Sequence, residues 1–388
     1  MKYRTNKVNG DSISALGFGC MRFPRDYKES EQLILRAIDE GVNYFDTAYI
    51  YPNSEVTLGK ILKDNNKRDE VKIATKIMPT LIKKYSDLDK YFIKQLERLQ
   101  TDYIDYYFIH MITDVAVWKR LVELGIVEWI KAKKQEGKIK NIGFSYHGGR
   151  DEFIKIVDAY SWEFCMIYYN YLDEFNQAGR HGLEYAASKN MPIMIMGPLK
   201  GGILSSKLPK TALEVFEQAH IKRTPTDWAL RWIWNHPEVT CVLSGMSNMD
   251  MLEENLAIAK DTNPSSFSDT DHAVINDVRS ALSAILKVPC TGCNYCMPCP
   301  KGVDIPTCLT CYNDIAISGR MSALQKYTTQ TAFKAKPQIA SQCNKCGKCE
   351  KDCPQSIKIG DELENAAKEL EKFWFKPMMW VARRFMRL

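Results

Sequence analysis

No run of eighteen or more apolar residues occurs in these 388 residues, so the sequence offers no helix able to cross a bilayer. The opening stretch, MKYRTNKVNGDS, lacks the apolar core of a secretory signal, and the expectation is a cytoplasmic protein. Charge of neither sign is gathered into blocks. Lys and Arg number 53 against 47 Asp and Glu, a formal charge of +6 scattered along the chain, which argues against nucleic acid as a partner. Most of the chain also lacks cysteine: ten of the 13 fall between Cys290 and Cys353. A disulfide framework would spread them out, whereas tight clusters in a reducing compartment read as metal ligands.

What is present is enough apolar residue, 45%, for one large core and a smaller one. Eight short apolar runs alternate with longer helix-like stretches: 14–19, 43–48, 72–76, 103–110, 140–145, 165–170, 192–197 and 240–245. The intervening segments carry helical periodicity. One is SEQLILRAIDEG, with Ser30 as the expected N-cap and Gly41 as its stop, and another is DLDKYFIKQLERL. Eight strand–helix units predict an α/β fold, a (β/α)8 TIM barrel in preference to a doubly wound sheet. Residues 260–275, polar and turn-rich, mark the boundary. The expected domains are a barrel over 1–275 and a smaller, mainly α-helical one over 276–388.

The barrel's chemistry is expected at the C-terminal ends of its strands. A polar set falls there: Asp46 and Tyr51 after the second strand, Lys76 after the third and His110 after the fourth. Singly, each has a plain structural reading, Asp46 with Lys76 as an ordinary ion pair and Tyr51 as a turn residue. Together with the stretches GVNYFDTAYIYPNSEVTLGK, KIATK, DYIDYYFIH, GPLKGGIL and SGMSNMDMLEENL, they resemble the aldo/keto reductase family over residues 10–260. The resemblance implies that Tyr51 gives a proton to a carbonyl oxygen as a hydride reaches its carbon. Lys76 would draw the phenol toward phenolate, Asp46 would hold Lys76 charged, and His110 would orient the carbonyl. Tyr49 is the rival acid, and the family spacing from Asp46 selects Tyr51.

On the cofactor side, the resemblance implies NAD(P)H held by Ser145, Asn170, Gly197, Pro198, Leu199, Gly201, Gly202, Gly245, Ser247, Asn248, Glu254 and Asn255. Three positions depart from the family: Tyr146 stands for an Asn, Met166 for a Gln and Met196 for a ring-stacking Tyr. Those changes keep a flavin open as the alternative, and the choice between NAD and NADP stays open too.

The second domain opens with Cys290-x2-Cys293-x2-Cys296-x2-Cys299-Pro300 and continues to Cys343-x2-Cys346-x2-Cys349-x3-Cys353-Pro354, the latter with bacterial ferredoxin spacing. If the motifs exchange their last cysteines, Cys290, Cys293, Cys296 and Cys353 hold one [4Fe-4S] cluster and Cys343, Cys346, Cys349 and Cys299 the other. A single cluster is the alternative, with Cys308 and Cys311 as substitute ligands, and zinc is the rival metal. The helical linker resembles ferredoxin-like domains appended to some aldo/keto reductases. Cys20, Cys165 and Cys241 fall in or beside barrel strands and read as packing residues. In the tail FWFKPMMWVARRFMRL, Pro377 opens or breaks a helix that docks on the protein itself or meets a redox partner or a membrane face. The functional expectation is an oxidoreductase that reduces a small-molecule aldehyde or ketone, with clusters that exchange electrons with a protein partner. The alternative is an electron-transfer or redox-sensing iron–sulfur protein whose barrel does not turn over NAD(P)H.

Overall fold

The computed structural model describes every residue except 291, 293, 294, 335, 354, 387 and 388, and only the backbone of 385 and 386. Cys293 and Pro354 therefore lie outside the described residues. Eight parallel strands close a barrel: β1 (Leu16–Gly19), β2 (Tyr44–Asp46), β3 (Lys72–Ile77), β4 (Ile104–Ile112), β5 (Ile139–Tyr146), β6 (Phe164–Tyr168), β7 (Ile193–Met196) and β8 (Val239–Ser244). Each pairs with the next, and β8 returns to β1 through Val242–Leu16 and Ser244–Phe18. All eight expected runs are strands, in the expected order.

The runs read as continuously apolar because both faces are covered. Inward, Tyr44, Ala74, Tyr106, Phe108, Phe164, Met166, Met194, Cys241 and Leu243 fill the barrel. Outward, residues such as Phe45, Ile73, Tyr107, Ile109 and Ile142 pack in the larger core that includes the surrounding helices. A hairpin of Tyr3–Thr5 and Ser12–Ser14 closes the N-terminal end, where the Tyr106 hydroxyl donates to Asp11 at 2.6 Å and accepts from Asn6 at 3.1 Å. The open end of the barrel is thus the C-terminal one.

One helix start differs from expectation. The helix Tyr27–Asp39 is capped by Asp26, whose carboxylate accepts from the N–H groups of Lys28 and Glu29, so Ser30 lies inside the first turn. A carboxylate four residues upstream takes the capping role, and the Ser30 hydroxyl instead donates to the Asp26 carbonyl. Gly41 does end the helix region, in the left-handed conformation at φ 87°.

Helix Asp269–Ser283 packs on the barrel through Ile275, Val278 and Leu282. A second core runs from Val288 to Met379 and joins the helices Ile305–Ser318, Arg320–Tyr327, Ile359–Leu370 and Phe375–Met386. In the last helix Pro377 occupies the first turn, Phe375 and Met379 are buried, and Arg383 donates to the Ala332 and Lys334 carbonyls. Phe373 and Trp380 remain exposed. Among the described residues no helix is long and apolar enough to cross a membrane.

Candidate active site

Period-two alternation sets three of the four polar residues at the mouth. Asp46 follows inward Tyr44 on β2, Lys76 follows inward Ala74 on β3, and His110 follows inward Tyr106 and Phe108 on β4. Tyr51 comes from the loop between β2 and helix Ser54–Asp64. The buried Lys76 ammonium donates to Asp46 Oδ2 at 2.5 Å and to the Thr47 carbonyl at 2.7 Å. It also stands 5.0 Å from the centre of the Tyr51 ring, and that ring meets His110 edge-on at 6.0 Å between centroids. Beneath β3, Glu55 accepts from Thr75, Gln95 and Arg98, and Gln95 donates on to the Lys76 carbonyl. That network fixes the strand from which Lys76 projects.

The rival Tyr49 faces elsewhere. Its ring packs edge-on against Tyr91 at 5.1 Å and under the Arg98 guanidinium at 4.3 Å, and it does not line the cavity described below.

Burial dominates the electrostatics. It raises the Tyr51 hydroxyl above its usual 10, with Lys76 pulling the other way and Asp46 adding to the rise. The expected drift toward phenolate is therefore outweighed, and Tyr51 is a protonated donor at neutral pH. Burial also works against the charge on Lys76, but Asp46 and Tyr51 more than offset it and keep the ammonium above its ordinary range. His110 is held well below 6.5 by burial, then by Lys76 and His147, so its imidazole is neutral.

A cavity of about 360 Å³ opens over this set. It is lined by Asp46, Tyr51, Lys76 and His110, by Ser145, by the loop residues Gly197, Pro198, Leu199, Gly201 and Gly202, and by Gly245, Ser247, Glu254 and Asn255. Two expected cofactor residues do not reach it. Asn170 is buried behind the glycine loop, where it donates to the Gly197 carbonyl at 3.2 Å, and Asn248 caps helix Met249–Asp261 by accepting from the Met251 N–H. Met166 and Met196 do line the cavity, and Met166 pairs in register with Ser145. Tyr146 turns outward onto Phe153.

The cavity leaves polar atoms and open backbone for a ligand. Asn255 Oδ1 is buried without a hydrogen-bond partner, while its Nδ2 donates to Ser244 at 2.7 Å. Gly201 and Gly202 are left-handed at φ 71° and 92°, and a Cβ on Gly202 would meet nothing within 4 Å. Ser145 Oγ accepts from the Met111 N–H at 2.8 Å and keeps its own proton to give. Sequence reasoning passed over His147, Met21, Arg22, Ser205 and Met251, all of which line the cavity. A signal existed for His147, which follows Ser145 by one period of the strand.

In the second core, Cys299, Cys343, Cys346 and Cys349 line one cavity of about 200 Å³ together with Cys296. The Lys345 N–H donates to Cys343 Sγ at 3.4 Å, from a turn in which Lys345 and Gly347 are left-handed. Burial pushes the Cys349 thiol up to about 11, with Glu350, Cys343 and Cys299 adding negative charge beside it. The Cys349 thiol stays protonated unless a cation offsets that burial and the neighbouring negative charge. Among the described residues no three His, Cys, Asp or Glu side chains converge as a site for a single metal ion. Cys353 is half-buried, as are Cys290 and Cys296. Cys308 and Cys311 are buried on helix Ile305–Ser318, away from that cavity's lining, and Cys308 Sγ donates to the Gln338 carbonyl.

Barrel, mouth and residue order together define an oxidoreductase of known type. The model described as the aldo/keto reductase family matches residues 15–277, and the chain belongs to that family. An uncharacterised oxidoreductase YqkF of Bacillus subtilis is 26% identical over 67% of this chain and 91% of its own length. Aldo-keto reductase str7 of Strobilurus tenacellus is 26% identical over 67% of this chain and 88% of its own. The solved structure of aldo-keto reductase AKR11C1 from Bacillus halodurans, in its holo form, superposes with a TM-score of 0.61 at 25% identity, covering 72% of this chain and 96% of that one.

The buried imidazoles give stability a pH dependence of fixed sign. Burial lowers His147 and His236 from 6.5 to about 4, so between those values the unfolded chain binds protons that the folded chain refuses. Their contribution is complete above pH 6.5 and is lost as the pH falls toward 4. Thermal melts from pH 8 to pH 4 are expected to show a Tm that declines below 6.5, and His147→Gln is expected to flatten that decline.

Proposed function

We propose that the barrel reduces a small-molecule aldehyde or ketone with NAD(P)H, and that the C-terminal region carries [4Fe-4S] clusters. The observation that carries the first part is the meeting of Tyr51, Lys76, His110 and Asp46 in one cavity with the loops 197–202 and 245–255. A bound nicotinamide supplies the hydride. Tyr51 Oη gives its proton to the carbonyl oxygen, and its protonated state at neutral pH suits a donor. Lys76 steadies the phenolate left behind, since an ammonium beside the ring favours the ionised form. Neutral His110 donates a hydrogen bond to the same oxygen and orients it. Asp46 keeps Lys76 charged and in place. Of the cofactor residues, Ser145 and Asn255 offer polar contacts, and the glycine loop lies open to the phosphates.

For the clusters, the support is the cavity lined by Cys299, Cys343, Cys346 and Cys349, which crossed ligation assigns to one cluster, and by Cys296, which it assigns to the other. Cys299, Cys343, Cys346 and Cys349 would hold one cluster as thiolates, and it would supply one-electron transfer. The region 276–388 would then pass single electrons beside a barrel that handles pairs, with a redox protein as partner. A second reading, a flavin-linked electron-transfer protein, is favoured by Met166 and Met196, which give the cavity an apolar wall beside Ser145.

Tyr51→Phe removes one hydroxyl and is expected to lower kcat by a factor of about a hundred to ten thousand with cofactor affinity nearly unchanged. Tyr49→Phe is expected to turn over normally, and steady-state kinetics on a panel of aldehydes checks both.

Anaerobically reconstituted protein is expected to hold about eight Fe and eight sulfides per chain. Four Fe would leave a single cluster, stoichiometric zinc would remove both, and a flavin absorbance in the same sample would favour the second reading.

A further inference from the structure

Lys200 is the residue of the glycine loop that turns away from the cavity. Its backbone is left-handed at φ 49°, an unfavoured conformation for a residue with a Cβ, and it is followed by left-handed Gly201 and Gly202. Charge holds it there. The Lys200 ammonium lies 2.7 Å from Asp173, in the loop after β6, and 2.9 Å from Asp314 on helix Ile305–Ser318. Lys326, on helix Arg320–Tyr327, closes the set at 2.8 Å from Asp314 and 3.8 Å from Asp173. Two ammoniums and two carboxylates thus balance, with both carboxylates and Lys200 buried and Lys326 largely so.

Polar neighbours tie this quartet to both halves of the molecule. Asn176 donates to Asp173 at 2.8 Å, and Asn170 bridges Asp173 and the Gly197 carbonyl at the start of the loop. On the other side, Asn313 pairs with both backbone polar groups of Val288, at 2.9 and 2.7 Å, two residues before Cys290. Lys200 is therefore clamped by one carboxylate of the barrel and one of the cysteine-rich region.

We propose that Asp314 and Lys326 are positioning residues for the dinucleotide: through Lys200 they set the backbone of residues 197–202 that lines the cavity. This rests on the reading that the cavity takes a nicotinamide dinucleotide. Without the Asp314 carboxylate, Lys200 keeps Asp173 alone, the loop is held from one side only, and binding must order it further. The tetrad stands on β2 to β4 and on the loop after β2, outside the clamp, so chemistry in the loaded enzyme is unaffected.

Asp314→Asn alone leaves two lysines facing one carboxylate and endangers folding. The decisive variant combines Asp314→Asn with Lys326→Met, which leaves Lys200 and Asp173 as a neutral pair. NADH and NADPH binding is followed by quenching of tryptophan fluorescence in full-length, anaerobically prepared protein. The Kd of the preferred cofactor is expected to rise about tenfold in the double variant, the size of an ordinary coupling between sites. Its kcat at saturating cofactor is expected to stay within about twofold of wild type, and Asp314→Glu is expected to bind nearly as wild type does. A double variant that melts earlier but binds as tightly as wild type overturns the proposal, because the bridge is then only structural. Wild-type protein that binds neither NADH nor NADPH removes the dinucleotide reading itself, and the proposal falls with it.

Discussion

The site depends on an ion pair buried where water cannot help it. Lys76 and Asp46 are almost fully shielded, and each alone would be an uncompensated charge, a defect of roughly 3–5 kcal/mol. The barrel tolerates the pair because the ammonium also reaches the Thr47 carbonyl and because Glu55, Thr75 and Gln95 lock the strand behind it. Once the charge is fixed, the rest of the mouth follows from it. The ammonium helps to keep His110 neutral, and it opposes the burial that would otherwise raise Tyr51 further. One fixed cation beside a phenol and an imidazole thus acts on the ionisation of both.

The other half of the cavity is built differently. Ser145, Ser247, Glu254 and Asn255 line it together with Met166 and Met196. The methionines hold a flat ring by packing more than by directed hydrogen bonds. Order in the glycine loop is then worth more, and that order comes partly from outside the barrel, through Lys200 and Asp314. The cysteine-rich region is thus part of the cavity's frame whether or not electrons cross between the two parts of the chain.

The eight strands were legible because each is covered on both faces and so reads as an unbroken apolar run. The tetrad was legible because strand ends are where a barrel exposes chemistry. What stayed hidden depended on contacts between distant segments. The family spacing selected Tyr51 over Tyr49, but the reason lies elsewhere in the chain: Arg98 and Tyr91 draw Tyr49 away from the mouth. Asn170 and Asn248 had suitable chemistry, but one supports a loop from behind and the other caps a helix. Lys200 sits within a glycine-rich stretch that reads as a phosphate loop, yet its partners lie on a strand-end loop and on a helix far downstream. The expected pull of Lys76 on Tyr51 toward phenolate is present but outweighed, because spacing shows a nearby ammonium and not the depth of burial.

Whether the buried Lys76 ammonium opposes the burial that raises Tyr51 is read by titrating that phenol. Carbon-13 label at Tyr Cζ, with Tyr51→Phe to assign the resonance, gives its pKa in wild-type protein and in Lys76→Met. The phenol is expected to titrate above 10 in wild type and higher still in Lys76→Met, because the opposing charge is gone. A Tyr51 titration that is unmoved by Lys76→Met, or that lies below 10 in wild type, would contradict that expectation.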